Sequence, residues 1–240
     1  MYKIILALAF INITSNAGAQ QIFIDKATVE YEVKTNIKKT IETGFFEDMI
    51  KDQLPQFKTG YYHYTFAENK GIYKFDHWDP NMILPTFLKT SDEANAWYYD
   101  YNSGIFNMQK SVAGSNFTIA DSISHINWKL ENENRVIAGF NCRKAMAIIM
   151  DSVYVFAFYT DEITIPGGPC NIHGLPGLIL GLTIPRMYTS WIATNVSVNA
   201  VDAGMIKPIA SKKDYTMATF KTTINSRIKE WVSEDDPDSK

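Results

Sequence analysis

Cys170 and His173 stand close together in the chain, and Cys142 lies 28 positions before Cys170. Two thiolates and an imidazole, with the thioether of Met146 or Met187 nearby, would suit a soft ion such as Cu(I). Zinc would take a further nitrogen, sulfur or carboxylate ligand. The same two cysteines, the only ones present, could instead be joined. A bridge would close a loop of about 28 residues and add on the order of 3 kcal/mol if unstrained. A third outcome is a pair of free thiols packed as small apolar residues. The bridge and the metal site Cys142, Cys170, His173 exclude each other, because a disulfide leaves no thiolate to ligate. In an exported chain, the bridge is the expected outcome.

Other reactive types do not assemble. His63 sits among tyrosines, His77 precedes Trp78-Asp79, and His125 begins a segment leading to Trp128. A general base needs a partner within hydrogen-bond reach, and these neighbours supply none by sequence. No Gly-x-Ser-x-Gly elbow marks a serine nucleophile. Asp161 and Glu162 are adjacent, so in a strand they would point to opposite faces instead of flanking one bond. No catalytic residue is assigned.

Immediately after His173 comes Gly174-Leu175-Pro176-Gly177-Leu178-Ile179-Leu180. Proline fixes φ and the two glycines accept backbone angles that a Cβ forbids, so this is a tight turn entering a strand buried on both faces. A phosphate cradle would need more glycine and a helix with basic or hydroxyl groups directly downstream, which are missing. The heptapeptide resembles the signature of the GLPGLI family of Gram-negative envelope proteins. The stretches around Trp128, from Ile137 to Ala145, and from Ala157 to Ile163 also resemble that family's pattern, with Phe140, Phe158 and Cys170 as departures. The resemblance implies a β-rich envelope protein, often thought of as accessory to outer-membrane transport. It brings no reaction and no catalytic residue.

The ends of the chain have other tasks. Lys3, the apolar run over residues 4–13 and Ala17-Gly18-Ala19 predict a signal peptide over residues 1–19, cleaved before Gln20. The run is too short for about 30 Å of hydrocarbon, so no transmembrane anchor is expected. No cysteine follows the cleavage site, which excludes a lipoprotein. The remaining stretch of about 220 residues suits one β-rich domain over residues 20–233, followed by an acidic disordered tail over 234–240. A net charge of −3 and a pI near 5.8 give no broad basic field for nucleic acid or an anionic membrane.

What must position these residues is a sheet. Val29, Tyr31 and Val33 alternate with Glu30, Glu32 and Lys34, predicting a half-buried strand over 27–40. Phe45, Phe46, Met49, Ile50 and Leu54 are spaced for a short helical insertion. Aromatic and β-branched runs predict strands over 59–66, 71–75, 96–100, 105–110, 124–131, 135–140, 143–150, 152–159, 178–184 and 190–198. Residues 132–134 are read as a link. Met217, Phe220, Ile224, Ile228 and Trp231 form one stripe of a closing helix, capped by Asp214 or Thr216, that packs on the sheet.

The expected fold is therefore mainly β, a single curved antiparallel sheet or half-barrel with a C-terminal amphipathic helix and a short N-terminal helical insertion. The expected function is that of an exported, non-enzymatic protein of the periplasm or outer membrane. It would cradle a peptide or apolar ligand, or dock on an outer-membrane protein or transporter. A copper or zinc protein using Cys170 and His173, and a hydrolase of unknown class, are the alternatives. No resident cofactor is assigned.

Overall fold

The computed structural model describes residues 23–40, 54–112, 114–198, 201–211 and 214–234. The predicted leader, most of the helical insertion and all but Glu234 of the acidic tail lie outside these residues.

The chain is mainly β, as its pattern demands. β1 (Ala27–Asn36) buries Val29, Tyr31 and Val33 and turns Glu30 and Glu32 outward. A single turn, α1 (Ile37–Thr40), follows it. β2 (Phe57–Ala67) and β3 (Lys70–Trp78) form a hairpin through Glu68 and Asn69, both at positive φ, the backbone a two-residue hairpin turn requires. A short helix, α2 (Thr90–Ala94), leads to β4 (Ala96–Asp100), β5 (Ile105–Val112) and β6 (Ser115–Ser122). The second run comprises β7 (Lys129–Ile137), β8 (Phe140–Ile149), β9 (Val153–Thr160), β10 (Leu178–Ile184) and β11 (Thr189–Ser197). A two-residue strand, β12 (Asp214–Tyr215), precedes α3 (Met217–Glu234).

All twelve strands join one sheet in the order β12-β6-β5-β4-β3-β2-β1-β11-β10-β9-β8-β7. The first strand lies in the middle, antiparallel to β2 and to β11, with Thr28 opposite Ser197. Topology forces the curvature. β6 and β7 stand ten strand spacings apart, roughly 48 Å if the sheet were flat. Yet residues 123–128 alone connect them, reaching at most about 25 Å when extended. The sheet must therefore curl until its two ends face each other, without closing.

The first part of the helix stripe packs on the sheet, while the side chains of Ile228 and Trp231 lie outside those described. Phe220 meets Phe117 of β6 edge-on with ring centroids 5.4 Å apart, and Met217 and Ile224 join the same core. Thr216 caps it: the Thr219 N–H donates to Thr216 Oγ1 at 3.2 Å, and the Thr216 N–H returns to Thr219 Oγ1 at 2.9 Å. Asp214 instead belongs to β12, which lies parallel to β6. The Met217 N–H donates to Asp121 Oδ2 at 2.9 Å, tying the helix start to β6 and holding the Asp121 carboxyl below its usual range.

Two strand assignments need correction. The expected strands over 124–131 and 135–140 are one strand, β7, running through residues 132–134, with its pairing to β8 irregular between Leu130 and Asn134. β7 is a sheet edge exposed over most of its length, so asparagines there break no core pattern. β6 was not predicted, because Phe117, Ile119 and Ala120 are its only apolar residues and do not alternate regularly.

Candidate functional site

Residues 161–177, between β9 and β10, carry Cys170, His173 and the glycine-framed turn. They pack against the aromatic side of the sheet. Ile163, Ile165, Ile172 and Leu175 are buried in the main core beside Tyr31, Tyr64, Tyr73 and Tyr99. A buried connection must find partners for its own peptide groups, and here it does. The Gly174 N–H donates to Pro166 O at 2.9 Å, the Ile179 N–H to Gly167 O at 3.0 Å, and the Leu178 N–H to Ile163 O at 3.0 Å.

Side chains of the sheet supply further clamps. The Tyr31 hydroxyl donates to Ile179 O at 2.6 Å, and the Tyr99 hydroxyl to Cys170 O at 3.2 Å. The Trp128 indole, at the end of the β6–β7 connection, donates to His173 O at 2.9 Å. The expected tight turn is present: Gly174 and Gly177 have φ of +88° and +146°, and a Cβ on Gly177 would collide with the Thr160 carbonyl. β10 then follows, buried at every residue but Thr183.

Rings pack behind this segment. Tyr73 stacks on Tyr62 at 5.2 Å and lies 5.6 Å from Trp97, while Tyr99 stacks on Tyr101 at 5.6 Å and sits 5.5 Å from the His173 ring. Tyr64 is slotted between Gly71 and Gly167, where a Cβ on either glycine would strike its hydroxyl. No hydrogen bond of good geometry reaches the buried hydroxyls of Tyr64, Tyr73 and Tyr101. Tyr101 lies beside the first of these, and Trp191 and Cys170 beside the second. Burial raises the pKa of all three phenols, so they stay protonated.

Burial pushes the thiols of Cys142 and Cys170 up to about 12, so both are protonated at neutral pH and poor as nucleophiles. The expected disulfide is absent: both cysteines are free. Cys142 faces the core from β8 with its thiol 3.6 Å from Phe140 O, whereas Cys170 is held in the inserted segment beside Tyr73 and Trp191. His173 is pushed down to about 4, by burial first and then by the charge of His125, and is neutral at pH 7. Among the described residues, no group of three His, Cys, Asp or Glu side chains is placed to hold a metal, so Cys142, Cys170 and His173 do not converge as ligands.

His125 lies in the β6–β7 connection, near enough for its charge to act on His173, whereas His63 and His77 are on the outer side of the sheet. His63 lies 3.7 Å from both Glu30 and Asp76, and His77 Nδ1 is 2.6 Å from Asp76. Asp161 lies 3.6 Å from Arg143, and the Glu162 carbonyl accepts from the Ile24 N–H. Sequence reasoning did not anticipate the clamping roles of Tyr31, Tyr99 and Trp128, since nothing local to a tyrosine shows which distant carbonyl it will meet.

No protein-family model matches the chain, and no curated protein matches it. Among solved structures it is similar to "Structure of PNGF-II in C2 space group", with a TM-score of 0.55 and 14% identity over 83% of this chain. A second form, "Structure of PNGF-II in P21 space group", gives a TM-score of 0.54 and 13% identity over the same share. This chain spans 32% and 33% of those two chains, about a third of their length. At such identity the likeness establishes the fold alone.

Proposed function

We propose that this is an exported, non-enzymatic envelope protein of the GLPGLI type that acts by docking on an outer-membrane partner. One observation carries the reading: the curled sheet packs its aromatic side against its own residues 161–177, with Ile163, Ile165, Ile172 and Leu175 buried among the tyrosines. A segment that fills the space where a peptide or apolar ligand would lie leaves the outer face and the ends of the sheet for recognition. Protonated thiols, a neutral His173 and phenols without a nearby base are also what a structural filling contains, not a reaction centre. The signature turn then serves to hold the filling in place.

Photocrosslinking in intact cells tests this. A photoreactive residue at Tyr154, exposed on the outer face, should capture one defined outer-membrane protein. A probe at Ser103, on an exposed turn at the other end of the strands, should not. Capture of nothing at outer positions, together with saturable binding of a peptide or lipid by the purified chain, would overturn the proposal.

A further inference from the structure

The outer face of the central strands gathers polar groups that the inserted segment does not use. β2 and β3 pair with a shift in register there: Tyr61 lies opposite His77 and Tyr62 opposite Phe75, so Asp76 has no residue of its own across the ladder. A bulge of this kind re-aims a side chain. Asp76 Oδ2 lies 2.6 Å from His77 Nδ1, and Asp76 Oδ1 lies 3.7 Å from His63 Nδ1 on β2. One carboxylate therefore faces two imidazoles.

His63 has a second carboxylate on its other nitrogen. Glu30 Oε2 of β1 lies 3.7 Å from His63 Nε2, and the Thr194 hydroxyl of β11 donates to Glu30 Oε1 at 2.7 Å, which holds the carboxylate in that direction. Tyr61 stacks on the His77 ring with centroids 4.6 Å apart and sets its plane. The side chains of Glu30, His63, Asp76 and His77 are each a third to a half exposed among the described residues.

We propose that His63, Asp76 and His77 bind one zinc ion. At 3.7 Å, His63 and Asp76 are too far apart for a hydrogen bond and close to the separation of two ligands that each reach a common ion at about 2.0–2.1 Å. His77 completes the set when it exchanges its bond to Asp76 for one to the metal, with water in the fourth position. No three of the donors share a point before that exchange, so the ion itself draws them together. Glu30 then stands where the other N–H of a ligating histidine needs an acceptor, the arrangement that orients imidazoles on metals. Charge agrees: the carboxylates of Asp76 and Glu30 together match one divalent cation. Lys74, opposite His63 in the ladder, is exposed, and a flexible four-carbon stem carries its ammonium into water. Calcium fits poorly, since it takes six or more oxygen ligands, and magnesium demands an octahedral oxygen shell. The inference goes beyond the docking reading above and does not rest on it.

The test titrates zinc chloride into the full chain, purified without a histidine tag, and follows the heat at neutral pH. One equivalent should bind, and an excess of calcium or magnesium should not displace it. His63→Ala and His77→Ala should each weaken binding at least about tenfold, as should Asp76→Asn, which keeps the side-chain volume and guards against a packing effect. Glu30→Gln should cause a smaller loss, and His125→Ala none. The absence of saturable uptake, or displacement by calcium as readily as by zinc, would overturn the proposal. Uptake that survives the His63, Asp76 and His77 substitutions would overturn it in favour of the thiols or His173 as the ligands.

Discussion

The Tyr31 hydroxyl on β1 donates to the Ile179 carbonyl on β10 at 2.6 Å, reaching past β11, which lies between those strands. Ile179 is free to accept because β10 pairs with β11 only from Gly181 onward, and its register with β9 shifts between Ile179 and Gly181. The bond joins the strand at the centre of the sheet to the signature turn.

Removing that hydroxyl leaves a buried carbonyl without its donor. Tyr31→Phe should cost about 1–3 kcal/mol, read as a lower urea midpoint at unchanged slope. An unaltered midpoint would mean that the bond contributes nothing to holding the inserted segment.

Gly167 makes room for Tyr64. Gly167→Ala should destabilise the chain by about 1–3 kcal/mol through overpacking. Combining it with Tyr64→Phe, which removes the atom a Cβ would strike, should recover part of that loss. Gly104→Ala is the control: it faces open space and pays only for its positive φ. Strict additivity of the Gly167 and Tyr64 substitutions would show that the two do not share a slot.

Thiol reactivity reports on the cysteines. With both thiols held near 12 by burial, the native protein at pH 8 should react slowly with a thiol reagent. Denaturation without reductant should then reveal two thiols per chain. A count of zero would establish the bridge that the structure lacks.

Acid should weaken the fold through His173. Its folded pKa of about 4 lies below the ordinary 6.5, so between those values the unfolded chain binds the extra proton. Stability is full above about pH 6.5 and falls as pH drops toward 4, by up to about 3 kcal/mol. His173→Gln should flatten that slope relative to the parent. Identical pH profiles for the two would sink the assignment.

Much of the sheet could be read from the chain because its signal is local. β4 and β10 match their expected bounds to the residue, each a short apolar or aromatic run between turn-forming residues. β7 was split, since an edge strand wetted along most of its length carries no regular alternation, and β6 was missed because its few apolar residues stand among polar ones. The inserted segment was harder. Ile163, Ile165, Ile172 and Leu175, broken by Pro166, Gly167, Gly168 and Pro169, look like an ordinary surface connection. Distant donors such as Tyr31, Tyr99 and Trp128 help make its burial tolerable, and sequence spacing does not announce them. The cysteines misled for the same reason: a pair in a chain read as exported suggests a bridge, yet each is occupied by its own packing.

With the first strand zipped to the eleventh, the central seam joins residues as far apart as Thr28 and Ser197. A nascent chain holds β1 without the neighbour that completes it until β11 has emerged. Long-range pairing of this kind delays the final step of folding. Until β11 has been made, the central seam cannot close, and the polypeptide before it stays incompletely folded.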